Sequence, residues 1–197
     1  VDVSRYLEGE PECWYDYDEE IVEGFSRNIL RVVYNCSASA GIAPRTLMAK
    51  GAAVAALVAL MEYSGRGVQL DIADCFVGGA TTEFYVTVKR ADEDLDVLTI
   101  AYAIAHPATA RRLMFSVAEQ LPSDIRKKLG ITPEGSYGYP GEVHDQGDVY
   151  IGGSVTGDVR WKDELSAMKW VIRTLKEQGI ALKDEAEAVT AVEREGV

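Results

Sequence analysis

Residues 29–41 read Ile29-Leu30-Arg31-Val32-Val33-Tyr34-Asn35-Cys36-Ser37-Ala38-Ser39-Ala40-Gly41. Both alternating sets of side chains in 29–35 are largely apolar and β-branched or aromatic, which predicts a central strand buried on both faces. Arg31 is the exception and belongs near a strand end. The small residues from Cys36 to Gly41 can turn tightly, and Pro44 then opens a long run from Thr46 to Tyr63. That run is apolar on nearly every side, as in a buried helix. Ser64-Gly65-Arg66-Gly67 supplies a glycine stop.

Downstream, Val68–Val77 and Glu83–Arg90 predict two strands of an antiparallel hairpin joined by 78–82. In the second, Phe84, Val86 and Val88 alternate with Tyr85, Thr87 and Lys89, giving one buried face. Leu95–Ala105 predicts a helix that Pro107 breaks, and a second helix runs from Ala108 to Gln120. Residues 130–147 form a long loop rich in glycine, of a length that is usually functional or mobile. Asp148–Gly152 predicts a short strand. Lys162–Gln178 predicts a helix with Leu165, Met168, Val171, Ile172 and Leu175 on one face, stopped by Gly179. Strands interleaved with helices indicate a three-layer α/β domain. Its ligands would gather at the carboxyl ends of the strands, here the Asn35–Gly41 turn and the Gly152-Gly153-Ser154 turn.

The chain has 197 residues and a formal net charge of −12. The charge sits at the ends: residues 1–25 carry −8 and residues 184–197 carry −4, so the body is neutral. This predicts an acidic arm (1–25) with the aromatic residues Tyr6, Trp14, Tyr15 and Tyr17, a folded domain (26–183) and an acidic tail (184–197). The acidic balance speaks against a general nucleic-acid binder and against an anionic membrane. No uninterrupted apolar stretch reaches the roughly 18 residues of a spanning helix, and Lys50 interrupts the longest. Cys13, Cys36 and Cys75 have no metal-site spacing and their odd number makes a poor disulfide framework. A reducing cytoplasm is the expected compartment. The start at Val1 points to a processed form or to part of something longer.

The turn after the first strand carries the most specific signal. Asn35, Ser37 and Ser39 match the Asp-x-Ser-x-Ser positions of the first motif of von Willebrand factor A-like domains, which this region, about 28–180, resembles. The resemblance implies a Rossmann-related α/β fold with a mixed sheet, an antiparallel edge hairpin and a metal-ion-dependent adhesion site. Asn35 replaces the aspartate that a hard cation favours. Thr99 and Thr109 are the candidates for the family's threonine, and the strand before Gly152 lacks its terminal aspartate. The site is therefore expected to be degenerate, with no cofactor beyond weak Mg²⁺. The plainer expectation is that Ser37 and Ser39 satisfy backbone donors and cap the helix. Backbone N–H groups at the turn could also take an anion. The overall pattern, including the leader Leu7-Glu8-Gly9-Glu10-Pro11-Glu12-Cys13, also resembles uncharacterised proteins of bacteriophages and actinobacteria, which implies a host cytoplasm if phage-encoded.

Other chemistry has thinner support. Asp71 and Asp74, three apart on a strand, point to opposite faces. Asp74 and Glu83 could approach across the hairpin. Cys36 could pair with His106 or His144 as nucleophile and base. There is no Gly-Lys-Ser/Thr phosphate loop and no G-x-G-x-x-G. Arg111-Arg112 and Arg126-Lys127-Lys128 read as exposed helix ends. Tyr137 and Tyr139, between glycines, are the candidate contact residues for a protein partner or a second copy. The sequence thus predicts a non-enzymatic binding or assembly module using Asn35, Ser37, Ser39, Gly41, Tyr137 and Tyr139. The alternatives are a metal-assisted hydrolase using Asp71, Asp74 or Glu83, or an acidic inhibitor of a host enzyme acting through the arm.

Overall fold

The computed structural model describes residues 29–77, 80–131 and 139–180. Their element order is β1 (Leu30–Asn35), α1 (Pro44–Tyr63), β2 (Val68–Val77), β3 (Thr81–Lys89), α2 (Val97–Ala105), α3 (Met114–Glu119), α4 (Ser123–Leu129), β4 (Tyr139–Pro140), β5 (Val149–Ile151) and α5 (Glu164–Glu177). A single π-helical stretch, Thr109–Leu113, leads into α3, and a 3₁₀ turn, Val159–Trp161, precedes α5. The fold is mixed α/β with a mixed sheet of order β3-β2-β1-β5. β1 runs parallel to both β2 and β5, while β3 closes the hairpin antiparallel to β2 at the edge.

β1 is central and buried on both faces, as its apolar run predicts, and Arg31 near its start is half-buried. Leu30, Val32 and Tyr34 point into the main core, whereas Val33 joins Ala73, Cys75, Val143 and Tyr150 on the other face. The main core takes most of its helical residues from α1, α2 and α5, with Ala110 and Met114 beside them. All three therefore cover one face of the sheet. The second helical layer of the three-layer expectation is absent from the described residues. There the opposite face is covered by irregular chain from Gly141 to Asp148 instead, with Val143 packed against Val33, Ala73 and Cys75. Arg31 holds that segment by bonding Asp145, and its backbone N–H donates to Asp148 at 2.7 Å. Glu83 bonds both the ring and the backbone N–H of His144.

α1 is 20 residues long and apolar enough, by length and composition, to cross a membrane, which corrects the expectation that no stretch is long enough. Here it packs on the sheet with Leu57, Val58 and Met61 fully buried. Gly51 lets α2 cross it closely, because a Cβ there would lie 2.3 Å from Ala105 Cα. Gly65, at φ 87°, ends the helix as expected.

β3 departs from simple alternation. The register shifts between Leu70 and Asp71, so Leu70 faces Lys89 while Asp71 faces Thr87. This bulge turns Lys89 inward, where it bonds Glu62 at 2.8 Å and is 2% exposed, whereas Val86 is exposed. A sheet edge relaxes the need for a continuous apolar face. On α5, Met168 lies at the exposed rim, and Ala167, Trp170 and Thr174 complete the buried stripe with Val171, Ile172 and Leu175.

Candidate functional site

The carboxyl ends of β1 and β5 are adjacent, and the two turns that leave them are knitted together. Ser154 N–H donates to the Ser37 carbonyl at 2.8 Å, and Ser39 N–H to the Ser154 carbonyl at 3.0 Å. Gly153 must be glycine for this approach, since a Cβ would stand 2.7 Å from Ser37 Oγ. β4 pairs with β2 at Phe76 and Val77, beyond Ala73 where the pairing with Asn35 ends.

Asn35 is the hub of the turn and is fully buried. Its Oδ1 accepts from Ser37 N–H at 3.0 Å and from Ser37 Oγ at 2.6 Å. Its Nδ2 donates to the Gly141 carbonyl at 2.8 Å and to Tyr150 OH at 2.9 Å. An amide has two donors and an oxygen with two lone pairs, so every polar position of Asn35 is occupied. The carboxamide suits this place because an aspartate would set an acceptor against the Gly141 carbonyl. Burial pushes the Tyr150 phenol up, and Glu142 adds to the shift.

Lys50 lies beneath the same turn and is fully buried. Its ammonium donates to the Asn35 carbonyl at 2.9 Å, the Gly152 carbonyl at 2.6 Å and Ser154 Oγ at 3.3 Å, and it lies 4.6 Å from the centre of the Tyr34 ring. Burial lowers its pKa to about 7. The lysine ties β1 to β5 at the point where their turns diverge. Sequence reasoning used Lys50 only against a membrane span; a lone lysine in an apolar helix was the available signal.

Asp74 is also fully buried, and neither carboxylate oxygen has a hydrogen-bond partner among the described residues. It lines a cavity of about 30 Å³ together with Ser37, Phe115 and Pro140. Burial raises its pKa to about 7.

The remaining predicted site residues scatter. Ser39 is half-buried, Gly41 is exposed, and neither serine caps α1: its N-cap is Ala43, with no side-chain bond. Asn35, rather than the serines, closes the turn. Thr99 donates to the helix cap Asp96, and Thr109 to the Tyr102 carbonyl. Tyr139 is 79% exposed, and Tyr137 lies outside the described residues, as do Cys13, the 1–25 arm and the 184–197 tail. Asp71 and Asp74 do face opposite ways. Asp74 and Glu83 do not approach across the hairpin: Asp74 pairs with Phe84 and Glu83 with Cys75, which places the two carboxylates on opposite faces. Asp71 is held by Arg31 at 2.6 Å and Thr87 at 2.8 Å. Cys36 is buried and its thiol is pushed well up by burial, while His144 is on Glu83 and His106 stacks on Tyr102. No such nucleophile–base pair forms.

Residues 1–182 match the family described as a domain of unknown function, DUF7192, and the chain belongs to that family. No curated protein and no solved structure matches it.

Proposed function

We propose that this DUF7192 member is a non-enzymatic protein-binding or assembly module, built on a von Willebrand A-like domain whose adhesion site has become structural. The observation that supports this is the saturation of Asn35: all its hydrogen-bonding positions are used inside the protein. A hard cation needs anionic oxygen ligands, and beneath this turn stands the Lys50 ammonium instead. The strand order β3-β2-β1-β5 with an antiparallel edge hairpin accords with the same reading. Such a turn holds loops rigidly, and binding residues gather on loops placed by a rigid scaffold. Tyr139, on the short strand beside that turn, is the exposed aromatic anchor. Cytoplasmic location and bacteriophage origin belong to this proposal as well.

The test is photo-cross-linking from position 139 in the producing cells, with position 14 of the acidic arm as the second site. A discrete adduct from position 139, with a partner protein or a second copy, is the expected result. Adducts from position 14 alone would favour an inhibitor acting through the arm. Adducts from neither would overturn the module reading.

A further inference from the structure

On the side of the helical layer away from the sheet, α1 is left uncovered between α2 and α5, and a groove of about 590 Å³ runs along it. Its walls are Met48, Ala52 and Ala56 of α1, Ala105 of α2, and Met168 and Val171 of α5. Met48 is 55% exposed, and Tyr63, on the same side of α1 beyond the groove, is 85% exposed. Methionine flanks adapt to the surface of an incoming chain, and an apolar groove between helices suits an amphipathic segment.

Three observations point to the acidic arm as that segment. The first is where the arm leaves the fold. The Leu30 N–H donates to the Gly67 carbonyl at 2.9 Å, so the 28 residues before Ile29 depart beside the C-terminal end of α1. From Tyr63 back to Met48 is about 22 Å along the helix, well within their reach. The second is pattern. Trp14, Tyr17, Ile21 and Phe25 recur at steps of three and four residues, the spacing of one helical face, with Asp16, Asp18, Glu19, Glu20 and Glu23 among them. The third is charge. Arg45 is the one charged residue on the groove wall and has no ion-pair partner among the described residues, whereas residues 1–25 carry −8. The family match starts at residue 1 and ends at 182, which puts the arm, and not the 184–197 tail, within the family's span.

We propose that the acidic arm occupies this groove, with Trp14, Tyr17, Ile21 and Phe25 against the apolar walls from α1 and α5 and an arm carboxylate on Arg45.

The test is photo-cross-linking in the purified full chain, with benzoylphenylalanine at position 48 and, in a second protein, at position 21. Peptide mass spectrometry should map a cross-link within one chain, from position 48 to residues 14–25 and from position 21 to α1 or α5. The position-21 protein leaves the groove walls intact, so it answers even if the change at Met48 disturbs the fold. Ala52→Trp fills the groove from an exposed position. It should speed proteolytic cleavage within residues 1–28 at least about tenfold while residues 29–180 stay protected. Cross-links to a second copy would give the groove to a dimer and overturn the proposal. Cross-links elsewhere in the chain, none from either position, or cleavage unchanged in Ala52→Trp would overturn it as well.

Discussion

The Lys50 ammonium lies 2.9 Å from the Asn35 carbonyl oxygen and closes the end of β1 from below. The Asn35 side chain closes the same end from the other face of the sheet, through Gly141 and Tyr150. One residue of β1 thus joins three segments that are distant in sequence: α1, the Gly141 segment and, through the shared lysine, the end of β5.

The lysine makes stability depend on pH in a defined direction. Its folded pKa of about 7 lies below the ordinary 10.5. Between these values the unfolded chain keeps a proton that the folded chain releases, so stability rises with pH in that window. Lys50→Met should flatten the rise, which amounts to at most about 4 kcal/mol. The two unanswered carbonyls should cost roughly 2 kcal/mol above pH 9. Urea unfolding from pH 6 to 10 measures both.

Asp74 acts the other way. Its folded pKa of about 7 is above the ordinary 3.8, so the folded chain holds a proton that the unfolded chain has lost. Stability should fall as pH rises from about 4 to 7. Asp74→Asn should remove that fall and stabilise the protein by ~2–4 kcal/mol at pH 8, with almost no effect at pH 4. Denaturation of the two proteins at both pH values is the check.

Much of this architecture was legible in the sequence, and the parts that were not share a cause. The Leu30–Asn35 run, the hairpin and the Gly65 stop are local signals, and they appear in place. That the two turns would meet follows from parallel pairing of β1 with β5. The covering of the second sheet face was not legible, because Gly141–Asp148 has no period and is held by dispersed polar bonds such as Arg31 to Asp145. The inward turn of Lys89 depends on a bulge that no local pattern announces. The roles of Lys50 and Asn35 depend on partners about 100 residues away.

Gly153→Ala tests the fit of the two turns. The added methyl would lie 2.7 Å from Ser37 Oγ, whose hydroxyl is fixed on Asn35. Overpacking of this kind costs about 1–3 kcal/mol, and thermal unfolding should show a Tm lower by several degrees.

Replacing Tyr137 and Tyr139 together by Ala should leave stability within about 0.5 kcal/mol of the parent, since Tyr139 is largely exposed. The same change should weaken association with the partner or second copy, as read by sedimentation velocity. An unfolded double variant would show that the loop is structural.

Metal titration bears most directly on the central claim that the Asn35–Ser37–Ser39 turn holds the fold together rather than an ion. Calorimetry with Mg²⁺ and with Ca²⁺ should show no binding tighter than about millimolar, because the turn offers an amide and two hydroxyls where a hard cation requires carboxylates. A micromolar constant that disappears in Ser37→Ala would contradict it.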